Sequence, residues 1–86
     1  MKYFVYIVKC CDDTLYTGIT TDIERRVSEH NGDCKGAKYT KMRQPVQLVY
    51  EAAFPDRSSA SSEEYKIKQM TRKQKELIII ENNKSV

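Results

Sequence analysis

The sequence predicts a small α+β domain, a three-stranded antiparallel sheet flanked by helices in the order β-β-α-β-α-α. Two observations support this fold class: three short segments have strand-like patterns of apolar residues, and three others repeat apolar residues at helical spacing. With 86 residues the chain has room for one modest core. We therefore expect a single domain over residues 1–82, followed by a frayed tail over residues 83–86.

The first two strands are predicted to form a hairpin. The segment KYFVYIVKC carries apolar side chains on both faces, which is typical of a strand that is covered on both sides. Asp12 and Asp13 supply a turn, and the segment LYTGIT follows as a second strand.

A helix is predicted directly after the hairpin, over residues 22–30. Thr21 is a candidate N-cap, because Glu24 three residues later completes a capping box. Ile23 and Val27 form one apolar stripe, and an Asn-Gly pair ends the helix. A loop rich in glycine and lysine then leads to a third strand, VQLVYEAAF.

The second helix is expected to begin near a capping box formed by Ser61 and Glu64 and to run to about Met70. Ala60, Ile67 and Met70 lie on its inner stripe. A bend and a last helix should follow.

The last helix is predicted to begin at a further capping box, Thr71 with Gln74. This helix is expected to carry the apolar residues Leu77, Ile78 and Ile80, and whether its apolar face is buried within the domain or in a dimer stays open. These two boxes complete the predicted order of elements.

The composition favours a cytoplasmic protein. The longest apolar run has four residues, 77–80, which is far too short to cross a bilayer. The N-terminal segment alternates and has no small-residue cleavage site, so it is predicted to be a strand and not a signal peptide. Cys10, Cys11 and Cys34 are a poor disulfide framework, because their number is odd and two are adjacent. They also lack the C-x-x-C spacing of a zinc site, which leaves reduced thiols.

Positive charge is concentrated in two windows, although the net charge is only +3. No acidic residue occurs over residues 34–50 or over residues 65–75. The windows contain Tyr39 and Tyr65 beside their lysines and arginines. Cations next to aromatic rings suit a nucleic-acid backbone and its bases. A polar loop and a solvated helix face explain the same charges without a ligand.

Several motifs resemble the GIY-YIG nuclease superfamily. Phe4-Val5-Tyr6 and Tyr16-Thr17-Gly18 occupy the places of its two name-giving triplets, although the first keeps only the tyrosine and the second has threonine for isoleucine. The segments LYTGITTDIERRVSEH, GAKYT and EYKIKQMTRKQKE extend the likeness over essentially the whole chain. The chain is most similar to the small stand-alone bacterial proteins of the UPF0213 type.

The resemblance implies a minimal endonuclease that hydrolyses DNA with a divalent metal, with single-stranded, flap or branched forms favoured as substrates. A catalytically weak or silent nucleic-acid-binding module of the same fold is the alternative, and a protein-interaction domain is a third. The implied partner is nucleic acid, specifically DNA, and no association with a membrane is expected. Whether a protein partner supplies substrate specificity stays open.

The resemblance also assigns the site. It gives catalytic roles to Tyr6, Tyr16, Arg26, His30 and Glu64. It implies that Glu64 binds the metal, one Mg²⁺ or Mn²⁺ ion. We add Gly18, Lys38, Tyr39, Lys41 and Arg43 as substrate-binding residues.

Each catalytic assignment has a physical reason and an alternative. Arg26 is always charged and can grip two phosphate oxygens, but it also has the spacing to pair with Asp22. His30 can shuttle a proton or orient a tyrosine or a water, or it can simply favour the helix dipole. Periodicity alone does not choose between Glu63 and Glu64.

The two tyrosines are expected on adjacent strands near Arg26. We expect Tyr6 to be the general base and Tyr16 to be a hydrogen-bonding partner for water or phosphate, although the reverse assignment is open. Nearby cations such as Arg26 or Lys38 should lower the pKa of a tyrosine from its value near 10. The alternative is two core tyrosines with their hydroxyl groups at the rim. Gly18 is expected to leave space for a phosphate, or to serve only as a turn glycine.

Overall fold

The computed structural model describes residues 2–32 and 44–84. Its elements follow the predicted order β-β-α-β-α-α, which confirms the fold class. They are β1 (Tyr3–Lys9), β2 (Leu15–Thr20), α1 (Ile23–Gly32), β3 (Gln47–Phe54), α2 (Arg57–Lys68) and α3 (Arg72–Lys84). Four of the predicted substrate-binding residues lie outside the described residues: Lys38, Tyr39, Lys41 and Arg43.

The three strands form one antiparallel sheet with β1 in its centre, in the order β2-β1-β3. The predicted hairpin joins β1 to β2. Its turn is closed by the Cys10 N–H, which donates to the Thr14 carbonyl at 2.8 Å, and by the Asp12 carboxylate, which accepts from the Thr14 N–H and hydroxyl. Asp13 has a φ of 72°, a left-handed conformation that aspartate tolerates in turns.

The central strand is buried on both faces. On one face Val5 and Ile7 are fully buried and pack in a cluster with Ala60 and Ile67 of α2. On the other face Tyr6 and Val8 are covered by apolar side chains of α1. The doubly apolar pattern predicted from the sequence is therefore confirmed.

The caps of the first two helices differ from the prediction. In α1 the Arg25 N–H donates to the Asp22 carboxylate at 3.1 Å, so Asp22 is the cap and the Thr21 assignment is wrong. In α2 the cap is Asp56, which accepts from the Ser59 N–H at 2.8 Å. Aspartate is as good an N-cap as serine or threonine. Asp22 directly follows the predicted cap Thr21, and Asp56 precedes the predicted Ser61 in the same polar segment.

The Ser61 and Glu64 box therefore lies inside α2, which ends at Lys68. The box predicted for α3 is present in full. The Gln74 N–H donates to the Thr71 hydroxyl at 3.2 Å, and the Thr71 N–H donates to the Gln74 side-chain oxygen at 3.0 Å.

The last helix packs only some of its apolar residues against the core. Ile78 and Ile79 pack against the core, whereas Leu77 is 54% exposed and Ile80 50% exposed. The helix continues to Lys84, and the domain boundary at residue 82 stays a prediction. Within residues 2–32 and 44–84, no helix combines the length and the apolar character needed to span a membrane.

Candidate active site

Tyr6 lies directly opposite Gly18 in the β1–β2 pair. A Cβ atom built at Gly18 would fall 2.6 Å from the Tyr6 hydroxyl oxygen and 2.8 Å from the carbon that carries it. The Tyr6 phenol therefore lies flat over the glycine, in the space that the sequence interpretation reserved for a phosphate. Gly18 is itself buried, and it contributes to the site by making room for the Tyr6 ring.

The Tyr6 hydroxyl is held by two side chains of α1. Its oxygen lies 2.9 Å from His30 Nε2, and the Arg26 Nε–H donates to it at 3.4 Å. Tyr6 is 1% exposed and His30 is fully buried, so their hydrogen bond is protected from water. Because Arg26 supplies a proton to the oxygen, the phenol directs its own proton to His30.

Both members of this pair are neutral at pH 7. Burial lowers the pKa of His30, and the neighbouring Arg26 guanidinium lowers it further, against an opposite effect of Glu29. Burial raises the pKa of Tyr6 and outweighs the Arg26 hydrogen bond and charge, which lower it. Arg26 thus acts on this pKa in the expected direction, but the pKa of Tyr6 as a whole lies above its usual value because burial has the larger effect. The neutral state of His30 also removes the alternative in which its charge favours the helix dipole.

Arg26 links the buried pair to the surface. Its side chain is 26% exposed, and its NH1 group forms an ion pair with Glu29 at 3.0 Å, not with Asp22. Burial acts to lower the pKa of Arg26, but its hydrogen bonds to Tyr6 and Glu29 raise it overall, so the guanidinium stays charged. Glu29 was missed in the sequence, although its position three residues after Arg26 is a usual ion-pair spacing.

Tyr16 also contacts the buried histidine. Its ring meets the His30 ring edge-on, with centroids 5.3 Å apart and an interplanar angle of 65°. Tyr16 is partly exposed, unlike Tyr6. The structure thus brings Tyr6, Tyr16, Arg26 and His30 together on one face of the sheet.

Glu64 approaches this group from α2. Its carboxylate is near enough to raise the pKa of Tyr6, whereas Glu63 raises the pKa of Tyr50 on β3. The two adjacent glutamates thus lie on opposite flanks of the buried stripe that Ala60 and Ile67 define, and of the two only Glu64 is within electrostatic reach of Tyr6. Its side chain is 22% exposed and pairs with Lys68 at 3.5 Å.

A single carboxylate limits which metal could bind here. Among the described residues no group of three or more His, Cys, Asp or Glu side chains converges, as a zinc site would require. Mg²⁺ commonly uses one or two carboxylates and keeps several waters, with phosphate oxygens completing its shell. A partly exposed Glu64 beside the Tyr6 group fits that kind of site.

The end of α1 is fixed to the segment before β3. The Asn31 side chain accepts from the Val46 N–H and donates to the Val46 carbonyl, and the Gln44 side chain donates to the His30 carbonyl at 2.7 Å. These contacts fix the backbone at His30 and Asn31, and they thereby help to position the His30 side chain. The sequence interpretation treated Asn31 only as a helix stop, because its partner lies 15 residues away.

Comparison with known proteins identifies close similarity over most of the chain. The model of the GIY-YIG catalytic domain matches residues 2–77. A UPF0213 protein of Desulfotalea psychrophila is 56% identical over 77 residues, which are 90% of this chain and 70% of that protein. The UPF0213 protein YazA of Bacillus subtilis is 48% identical over 84 residues, 98% of this chain and 84% of its own length.

Solved structures agree with the sequence comparison. The solution NMR structure of a UPF0213 protein from Bacillus halodurans is 41% identical, with a TM-score of 0.64 over 99% of this chain and 89% of that one. A second NMR structure, of a protein from E. faecalis, is 40% identical with a TM-score of 0.63 over 92% of this chain and 83% of its own.

Proposed function

The chain belongs to the GIY-YIG family, and from this premise we propose that it is an endonuclease that hydrolyses DNA phosphodiester bonds with a divalent metal. The observation that carries the proposal is the Tyr6 hydroxyl, held in a buried position between the Arg26 Nε–H and His30 Nε2. A purely structural tyrosine needs one hydrogen-bond partner, whereas this one connects a neutral base to a cation that reaches the surface.

The arrangement supports proton transfer in two linked steps. Tyr6 is 1% exposed in the protein without substrate, so the step requires that the bound phosphate bring the attacking water to the Tyr6 oxygen. As this water attacks phosphorus, the Tyr6 oxygen accepts a proton from it and passes its own proton to His30 Nε2. The lowered pKa of His30 makes it available as the neutral acceptor, and the raised pKa of Tyr6 keeps the phenol intact between turnovers. Tyr6 thus acts as the base without ever being a free phenolate.

Arg26 stabilises the charge that develops during this transfer. Its guanidinium lies beside the phenol and is partly exposed, so it can bind the phosphate oxygens that become more negative as water adds. Glu29 fixes the orientation of Arg26 and favours the protonated form of His30. Tyr16 holds the His30 ring edge-on, which keeps Nε2 directed at Tyr6.

Glu64 is the residue that would hold the metal. A divalent ion bound there would supply Lewis-acid stabilisation of the leaving oxygen. The remaining chemistry depends on Tyr6, His30 and Arg26, which the structure brings into direct contact.

The size of the domain favours small or open substrates. Its dimensions are 30 × 28 × 27 Å, comparable with about one turn of duplex DNA, about 34 Å long. A domain of this size can enclose little duplex. We therefore propose single-stranded, flap or branched DNA as the substrates.

The decisive experiment compares the two adjacent glutamates of α2. Labelled single-stranded, duplex, flap and branched DNA are incubated with the protein, with Mg²⁺, with Mn²⁺ and with EDTA. Metal-dependent cleavage should disappear in Glu64→Gln and persist in Glu63→Gln, because of the two only Glu64 is within electrostatic reach of Tyr6. The form of DNA that is cleaved identifies the substrate class.

If the protein is instead a catalytically silent nucleic-acid-binding module, a different result is expected. Neither variant nor the original protein would cleave any of the four forms, while all three would bind DNA with equal affinity that falls as salt rises. That outcome would reject the endonuclease.

A further inference from the structure

The most exposed large aromatic side chain among the described residues belongs to Tyr65. It is 67% exposed and follows Glu64 directly on α2. Single exposed apolar residues are common on protein surfaces, so exposure alone indicates no ligand. The position of Tyr65 relative to the candidate active site is what distinguishes it.

Helix geometry places Tyr65 on the flank of α2 that carries Glu64. Ala60 and Ile67 define the buried stripe, and side chains three or four residues apart are neighbours on a helix surface. By this rule Tyr65 lies next to Ser61 and Lys68. Lys68 in turn contacts the Glu64 carboxylate at 3.5 Å. A continuous surface therefore leads from Glu64 across Lys68 to the Tyr65 ring.

The charge around this ring favours a polyanion. No acidic residue occurs from Tyr65 to Lys75, and the same stretch carries five cations: Lys66, Lys68, Arg72, Lys73 and Lys75. Arg72 is paired with Glu76, but Lys66 and Lys73 form no ion pair with any other residue within the described ranges. A flat exposed ring beside lysines, next to a phosphodiesterase site, matches a nucleic-acid strand with an accessible base.

We propose that Tyr65 is a stacking platform for an unpaired base adjacent to the phosphate that is cleaved. This inference rests on the proposed function and deepens it, since it assigns the occupant of the α2 flank as a single-stranded segment of DNA. In a duplex the faces of the bases are covered by their neighbours, so only an unpaired base can stack on Tyr65. The platform would therefore select open substrates over closed duplexes.

The test uses the absence of tryptophan from the chain. In Tyr65→Trp the new indole is the only one, and its fluorescence reports stacking directly. The matched control is Leu77→Trp on α3, a residue that is similarly exposed at 54%. Both variants are titrated in EDTA with an oligothymidine strand and with a fully abasic strand of the same length and charge.

We expect quenching of Tyr65→Trp by oligothymidine and little quenching by the abasic strand, with no change in Leu77→Trp. Equal quenching by both strands, an equal response of the control, or no response at all would overturn the platform. If the fluorescence of Tyr65→Trp is quenched as the protein concentration rises in the absence of DNA, a second copy of the chain covers this flank of α2. That result would also overturn the proposal.

A second pair of variants tests how much the Tyr65 ring contributes to the affinity for single-stranded DNA. Tyr65→Ala should weaken binding of single-stranded DNA by about tenfold or more, while Tyr65→Phe should retain it, because the ring and not the hydroxyl stacks. Equal affinities of Tyr65→Ala and the original protein would contradict the proposal. Because these measurements need no cleavage, a stacking platform on an inactive protein is distinguishable from an active nuclease that lacks the platform.

Discussion

The two faces of β1 differ in the kind of group that they bury. On one face Val5 and Ile7 pack in a cluster of apolar side chains from α2, α3 and the neighbouring strands. On the other face Tyr6 meets a buried histidine and an arginine through hydrogen bonds. Adjacent residues of a single strand thus enter an apolar cluster on one face and the hydrogen-bonded candidate active site on the other. This division follows from the alternation of side chains along a strand.

The polar groups of the chemical face are satisfied by one another, and the apolar face contains the exception. The Thr17 hydroxyl, buried among the side chains on the Val5–Ile7 face, has no hydrogen-bond partner among the described residues. Thr17 stands where the family triplet has isoleucine. The buried polar groups of the Tyr6 face are thus hydrogen-bonded, whereas the unpaired Thr17 hydroxyl on the other face is expected to cost stability.

The largest effect is expected at Arg26, on the chemical face. Arg26→Ala should reduce the cleavage rate by about 10²–10³-fold, because one preorganised donor to the developing charge is lost. Arg25→Ala is the matched control, since the Arg25 side chain is 62% exposed and its ion pair to the same Glu29 is longer, 3.9 Å against 3.0 Å for Arg26. Cleavage rates that fall equally in the two variants would contradict a specific role for Arg26.

A smaller effect is expected at Gly18, because its backbone lies directly against the Tyr6 ring. Gly18→Ala forces a methyl group against the Tyr6 phenol, which His30 and Arg26 hold in place. The free energy of unfolding should fall by about 1–3 kcal/mol, as for other overpacked cores. Gly32→Ala is the control, because a Cβ atom there has nothing within 4 Å.

A double-mutant cycle checks the cause of this loss. In a Tyr6→Leu background the cost of Gly18→Ala should shrink, because the atoms that the methyl group meets are gone. A cost that is the same in both backgrounds would show that Gly18 is needed for another reason. Urea unfolding of the four proteins gives the coupling free energy.

The smallest effect is expected on the apolar face. Thr17→Val should leave the free energy of unfolding unchanged or raise it by about 1 kcal/mol, since it removes a buried hydroxyl without a partner. Thr20→Val is the contrasting variant on the same strand. The Thr20 hydroxyl accepts from the Asp22 N–H at 3.1 Å, so its loss should destabilise the protein. Equal destabilisation by both substitutions would show that Thr17 has a bonding partner.

The fold was largely predictable because its signals are local. The doubly apolar pattern of β1, the aspartate turn and the Thr71–Gln74 capping box each depend on a few neighbouring residues, and all three are present. The first two caps were misplaced where several good capping residues lie close together. The inward face of α3 was not predictable, because a run of four apolar residues does not show which of them packs against the core.

The candidate site was less predictable because its properties arise from long-range contacts. The four residues Tyr6, Tyr16, Arg26 and His30 do meet, but the pKa of Tyr6 lies above its usual value since burial exceeds the effect of Arg26. Glu29 and Asn31 act through partners that the sequence interpretation did not consider. The catalytic and substrate-binding roles themselves stay predictions.

The most direct measurement compares Tyr6→Phe with Ile7→Val, two neighbours on opposite faces of β1. Both should lose stability by similar amounts, about 1–3 kcal/mol for the unpaired His30 nitrogen and about 0.5–1.5 kcal/mol for the missing methyl group. The cleavage rate should fall by about 10²–10⁴-fold in Tyr6→Phe and remain unchanged in Ile7→Val. A Tyr6→Phe protein that cleaves DNA at the original rate, or rates that fall in parallel in both variants, would contradict the assignment of chemistry to the Tyr6 face.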